Sequence, residues 1–133
     1  IKLARQIATK AHTGQVRRDG VTPYIAHPCR VAVRVCEESD SVIAAAWLHD
    51  VLEDTPETVE SLIAAGIPME VVKAVELLTR TPMVSYEDYI GAISNNPIAR
   101  KVKVADILDN LSDAPKNNQI VKYAKALLMI CDH

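Results

Sequence analysis

The stretch Trp47-Leu48-His49-Asp50-Val51-Leu52-Glu53-Asp54 sets four ionisable side chains at the end of the most apolar run in the chain, Val42 to Leu52. A helix that is apolar almost all round is buried in the middle of its domain. Charges buried there cost several kcal/mol each unless they are paired or bind a metal. Read as one continuous helix, His49 and Glu53 stand four apart and share a face. Asp50 and Asp54 form a second stripe beside them. The first level suits metal ligation, and the second suits proton handling beside an ion. A wheel with Trp47, Leu48, Val51 and Leu52 inward and the four polar groups in solvent is equally feasible, so spacing alone leaves both readings open.

Outward from this stretch the helical period continues. Ile1 to Ala11 puts Leu3, Ile7, Ala8 and Ala11 on one face. His12 to Thr22 is polar and carries Gly14 and Gly20, so it reads as a loop. Pro28 stands where a helix can begin, and apolar residues continue to Cys36. Ser39, Asp40 and Ser41 form a turn that caps the central helix. Thr58 to Ala65 is a short helix closed by Gly66. Pro68 to Arg80 carries the core stripe Val71, Val72, Val75 and Leu78. Ser85 with Asp88 opens the next helix in the manner of a weak capping box. Pro97 starts a long helix through Leu111, and Asn117 to Ile130 is the last. Nothing alternates with a strand period. The prediction is an all-α bundle of about eight helices over residues 1–133, one domain without repeat or linker.

Composition agrees. A chain of 133 residues, 49% hydrophobic, can bury a working core without staples. Phe is absent and aromatics are 4%, so the core must be built from Ala, Val, Ile and Leu. The formal net charge of −2 gives no support for a nucleic-acid or membrane surface. Any phosphate-handling site must concentrate its positive charge locally. Cys29 and Cys36 are seven apart, about 10 Å along a helix, too far for a disulfide. Unpaired cysteines fit a reducing cytoplasm, and no membrane span or signal peptide is expected.

One His and one Asp are too few ligands for a divalent ion. His27, in Pro23-Tyr24-Ile25-Ala26-His27-Pro28, and Asp106, in Val102-Lys103-Val104-Ala105-Asp106-Ile107-Leu108-Asp109-Asn110-Leu111, also set a polar group in an apolar context. Two imidazoles and two carboxylates make a nitrogen–oxygen site that accepts Mn, Fe or Zn. An ion there lowers the pKa of bound water. The ordinary role of such a His is a hydrogen-bonded core residue, and of such an Asp a surface or capping one. His12, at the loop edge, is given that structural role.

Three motifs in register carry a resemblance. Ala11-His12-Thr13-Gly14-Gln15-Val16-Arg17-Arg18-Asp19-Gly20, followed by Thr22 to Pro28, is similar to the opening motif of the RelA/SpoT homologue hydrolase domain, within the HD superfamily. His49-Asp50 with Glu53-Asp54-Thr55 resembles that family's HD and ED boxes, and Lys103 to Asp106 with Asn110 its last motif. The match runs from about Ala4 to Leu111, and the length resembles the small stand-alone alarmone hydrolases. The resemblance implies His27, His49, Asp50 and Asp106 as ligands of one Mn²⁺, and Glu53 and Asp54 as the pair that orients and activates the attacking water. It implies Arg17 and Arg18 on the purine base and a nearby phosphate, where guanidinium groups can stack and fork. Lys103 lies toward the phosphates, Asn110 bonds the ribose or a phosphate, and Tyr24 lines the pocket.

The implied activity is hydrolysis of the 3′-pyrophosphate of guanosine tetra- or pentaphosphate. The chain departs from the family pattern at Ile107, Asp109 and Ser112, where basic residues are usual. Those departures leave open an HD enzyme for another nucleotide or NADPH, or a nucleotide-binding module without turnover.

Overall fold

The computed structural model describes residues 1–17, 19–112 and 116–131; Arg18 lies outside them. Among the described residues the elements are α1 (Lys2–Ala11), α2 (Ala26–Arg34), α3 (Asp40–Leu48), the single-turn α4 (Val51–Asp54), α5 (Val59–Ala65), α6 (Met69–Leu78), α7 (Tyr86–Ser94), α8 (Pro97–Leu111) and α9 (Asn117–Cys131). The only strand-like feature among them is an isolated bridge between Val16 and Pro23. None of these helices is long and apolar enough to cross a membrane.

The ends are set by local chemistry. Ser39 Oγ accepts the Val42 N–H at the start of α3. Ser85 Oγ accepts the Asp88 N–H at the start of α7, half of the predicted box. A complete box stands instead at Thr58 and Ser61, whose side chains and backbone N–H groups bond reciprocally. Gly66 closes α5 with φ of +99°, a conformation open to glycine and strained for other residues. Asn96 Oδ1 caps α8, with Pro97 at its first turn.

α3 is the central helix, as its composition predicts. Val42, Ala44, Ala45, Ala46 and Leu48 are all buried, and α3 packs against α1, α2, α6 and α8. The core is aliphatic, with Val31, Leu62, Val75, Ile90, Ile93 and Val102 closed from solvent. Small alanines on α3 let four neighbours approach it closely, so polar side chains leaving its end are brought within reach of α2 and α8.

Two expectations are corrected. The predicted helix from Val42 to Leu52 is broken at His49–Asp50. Asp50 takes φ −105° and ψ 0°, the sparsely populated bridge region where functional residues are often found. The chain turns there and restarts as α4, so His49 and Asp50 leave a corner instead of a cylinder. α2 begins two residues before Pro28. A tight turn in which the Ala26 N–H bonds Pro23 O and the His27 N–H bonds Tyr24 O feeds it, which places His27 inside its first turn.

The loop between α1 and α2 is folded on itself. The Arg17 N–H donates to Thr22 O and the Tyr24 N–H to Gln15 O, both at 2.8 Å. Asp19 accepts the Val21 and Thr22 N–H groups at 2.9 Å and the Thr22 hydroxyl. Those bonds, the hydroxyl first, hold its carboxyl near pKa 2. His12 is buried, its Nδ1 bonded to Gln15 Oε1 at 2.8 Å.

Candidate metal centre

Four predicted ligands meet at one point. His27 comes from the first turn of α2, His49 from the end of α3, Asp50 from the corner, and Asp106 from the middle of α8. His27 Nε2 lies 2.8 Å from Asp106 Oδ1 and 3.2 Å from His49 Nε2. His49 Nε2 lies 3.3 Å from Asp106 Oδ1 and 3.0 Å from Asp50 Oδ2. Asp50 Oδ2 is 3.7 Å from His27 Nε2. Ligands about 2.1 Å from an octahedral ion stand roughly 3 Å apart along each edge, so these spacings fit one ion.

The proton inventory points the same way. His27 Nδ1 faces a carboxylate, Asp109 Oδ2, at 2.6 Å. His49 Nδ1 faces a carbonyl, Ala46 O, at 2.7 Å. Both partners only accept, so both Nδ1 atoms donate, and in the neutral rings both Nε2 atoms present lone pairs. Two lone pairs and two carboxylates then converge with no proton among them. Such an arrangement can hold a cation. Divalent ions of the Mn or Zn type suit the donor set.

Without an ion, a proton takes its place. Burial acts to lower the His49 pKa, but the Asp50 and Asp106 carboxylates outweigh it and hold it well above the ordinary imidazole value. Burial opposes ionisation of Asp50 as well, and the His49 charge still brings it to about 2. Asp106 is held well below the usual range: burial opposes this, and Lys103 and His49 overcome it.

A pH prediction follows. A raised His49 pKa means that the metal-free protein carries that proton at neutral pH, and ligation must expel it. Metal affinity should therefore rise with pH up to the raised His49 value. Titration calorimetry at pH 7 in buffers of different ionisation enthalpy should read about one proton released per ion. No buffer dependence would remove His49 from the ligand set.

Asp50, Glu53 and Asp54 each bring a carboxylate oxygen within 4.8 Å of the others. The corner in the backbone thus groups Glu53 with the two aspartates, instead of with His49 as a straight helix would. Glu53 Oε1 accepts the Arg80 N–H at 3.3 Å. Asp54 Oδ2 accepts the Tyr24 hydroxyl at 3.4 Å, and Asp54 O accepts Gln15 Nε2 at 2.7 Å. Partial burial raises the pKa of Glu53, and the Asp50 and Asp54 charges add to it. Burial and then Asp50 raise Asp54. Both carboxyls become better bases than ordinary surface carboxylates.

Three side chains expected near the substrate bond instead to the Asp50 and Asp106 carboxylates. The Tyr24 hydroxyl donates to Asp50 Oδ2 at 2.7 Å. Lys103 Nζ donates to Asp106 Oδ2 at 3.0 Å, and Asn110 Nδ2 to Asp106 Oδ1 at 3.2 Å. The guanidinium of Arg17 lies 5.7 Å from the Tyr24 ring centroid. It lines a polar cavity of about 260 Å³ with Asp19, Thr22, Arg30 and Ser112.

Two further cations, Arg80 and Lys122, lie outside the motifs that carry Lys103. Lys122 Nζ sits 4.4 Å from the Tyr86 ring centroid, and the Arg80 guanidinium 5.3 Å from the same ring. Lys103 Nζ lies 5.2 Å from the Tyr89 ring. Burial, then Arg80 and Lys103, lower the Lys122 pKa. The Tyr86 hydroxyl is buried with no partner among the described residues. Lys122 lies beyond the last recognisable motif, so only the docking of α9 on α7 reveals it.

A nitrogen–oxygen cluster that could hold a metal ion, with further acids beside it, is set between helices of an all-α bundle. The HD domain family model matches residues 4–130, and the chain belongs to that family. It is 36% identical over 121 residues to a guanosine-3′,5′-bis(diphosphate) 3′-pyrophosphohydrolase of Aquifex aeolicus, covering 84% of this chain and 17% of that protein. It is 35% identical over 125 residues to the Drosophila melanogaster pyrophosphohydrolase MESH1, covering 84% of this chain and 68% of that protein. A solved metazoan orthologue of SpoT that hydrolyses ppGpp superposes with a TM-score of 0.74 at 26% identity, covering 97% of this chain and 82% of that one. The chain spans about a sixth of the bacterial relatives it matches along most of its length.

Proposed function

We propose that residues 1–133 form a single HD-type domain that hydrolyses the 3′-pyrophosphate of guanosine 3′,5′-bis(diphosphate), or of its pentaphosphate form, with Mn²⁺. Water is consumed, and GDP or GTP and pyrophosphate are released. The observation that carries the reading is the convergence of His27, His49, Asp50 and Asp106 on one point, with Glu53 and Asp54 beside it. The names of the relatives supply the substrate class.

An ion bound there polarises the phosphoryl group and lowers the pKa of water. The chain's own residues do the rest. Glu53 and Asp54, raised by burial and by Asp50, take the proton of the attacking water. Tyr24, Lys103 and Asn110 fix the ligand carboxylates. Arg17 and Arg18 hold the base and a nearby phosphate.

Ile107 is buried in the core and Asp109 turns inward to His27, so neither position offers the charge usual in the family. Arg80, Lys103 and Lys122 restore it on the Glu53 side: Arg80 bonds Glu53 through its backbone, and Lys122 and Arg80 share Tyr86. Exposed Cys29, Cys36 and Cys131 with a nucleotide substrate suit the cytoplasm.

The test is turnover of a panel with Mn²⁺ present: both alarmones, other nucleotides and NADPH. Pyrophosphate release from the alarmones is expected. A preference for NADPH would reassign the substrate, and binding without turnover would make this a regulatory module. Within the panel, Lys122→Ala should leave metal content unchanged. It should raise KM roughly 10–100-fold, the scale of one charge-assisted bond at ~1.5–3 kcal/mol. An unchanged KM would place the phosphates elsewhere.

A further inference from the structure

We infer that Asp109, clamped from behind by Arg30, is a positioning residue that fixes His27 in the tautomer able to bind metal. This inference deepens the metal-centre reading and rests on it. Asp109 stands three residues after Asp106 on α8, so both carboxylates leave the same face toward α2. Its side chain is fully buried. Oδ2 faces His27 Nδ1 at 2.6 Å, while Oδ1 accepts Arg30 Nε at 2.8 Å. Arg30 Nη2 donates to Oδ2 at 3.2 Å, and Arg34 Nε lies 4.0 Å from Oδ1.

A buried carboxylate held by a guanidinium fork stays ionised and can only accept. The proton of neutral His27 is thereby kept on Nδ1, and Nε2 is left free to face His49, Asp50 and Asp106. The result is a carboxylate–histidine pair whose free Nε2 would serve an ion. Such outer partners typically change metal affinity 10–100-fold when removed. A structural ion pair between Arg30 and Asp109 does not by itself need the imidazole. The His27 contact is what gives the pair a role at the ion. Arg30 also lines the polar cavity beside Arg17, so the clamp joins the ligand shell to that cavity.

In Asp109→Asn the single amide oxygen should turn to the Arg30 cation, leaving the NH₂ group against His27 Nδ1. The ring proton then moves to Nε2, and the ligand is lost. Mn²⁺ affinity, read from the electron paramagnetic resonance of free ion, should fall 10–100-fold. Adding Arg30→Met frees the amide oxygen for the Nδ1–H, so the double variant should regain most of the lost affinity.

Long-range ¹H–¹⁵N spectra of the metal-free proteins at alkaline pH report the tautomer directly. Nδ1–H is expected in the wild type and Nε2–H in Asp109→Asn. Equal affinity in the wild type and Asp109→Asn, or Nε2–H in the wild type, overturns the inference. A wild type that binds no Mn²⁺ overturns the metal reading instead, and its tautomer spectrum still decides the role of Asp109.

Discussion

Asp106→Ala should strip the protein of metal and of turnover together. Asp106 is the one proposed ligand carboxylate on α8. Its Oδ1 faces both imidazole Nε2 atoms, at 2.8 and 3.3 Å. Removing it leaves two imidazoles and a single carboxylate, and the loss in affinity should exceed the ~100-fold typical of an outer-shell partner. The damage should extend to the fold. Lys103 is nearly closed from solvent, and its ammonium bonds Asp106 Oδ2. Burial opposes its charge, while Asp106 raises its pKa well above the ordinary lysine value. Deleting the partner of a buried charge costs about 3–5 kcal/mol. Elemental analysis and thermal unfolding of the purified variant measure both effects. Asp106→Asn separates them, because its amide oxygen still accepts from Lys103. That variant should keep more stability than Asp106→Ala and still bind metal weakly. Full metal occupancy in Asp106→Ala would show that the fourth ligand lies elsewhere.

Much of this architecture is legible in the residues because its signals are local. Gly66 ends α5 through its own φ, and Pro97 starts α8 through its missing N–H. The aliphatic run from Val42 marks the central helix through composition alone. The candidate ligand set shows for a similar reason: His27, His49, Asp50 and Asp106 are each a polar group among apolar neighbours. The corner at His49–Asp50 is not legible this way. The sequence there is apolar on both sides, and every local preference favours an unbroken helix. The turn matters only when α2 and α8 are in place to receive the two side chains. Asp109 hides for a related reason. It meets the same criterion as Asp106, a charge on an apolar helix, but its direction toward His27 depends on how α8 packs against α2. The charges on Lys122 and Arg80 converge on Tyr86 only once α9 docks against α7. Contacts between residues far apart in sequence leave no periodic trace, so a reading by motif and period passes over them.

The corner also sets Glu53 apart from the two imidazoles, and Glu53→Gln tests whether that division is one between proposed ligands and an acid. Glu53 follows Asp50 by one turn of α4, so its carboxylate reaches Asp50 and Asp54 and is not among the atoms that ring the two imidazoles. Gln keeps the shape and can still accept the Arg80 N–H, while the basic oxygen is lost. Metal content should stay at the wild-type level, since the four proposed ligands are untouched. KM should change little, because the Arg17 cavity and the Lys122 cluster remain. The chemical step should slow by roughly 10²–10⁴-fold, the usual yield of general acid–base help. The pH profile should change with it. Burial and the neighbouring aspartates raise the Glu53 pKa, so wild-type turnover should fall as pH drops through that raised value. The acid limb should lose the Glu53 contribution in the variant. A solvated helix residue behaves differently, since exposed substitutions rarely exceed about 0.5 kcal/mol, about a twofold change in rate. Turnover, metal analysis and a pH profile on this one variant therefore discriminate among three roles. Unchanged turnover removes Glu53 from the chemistry, and loss of the ion makes it a ligand. A slow but fully loaded enzyme assigns it the proton.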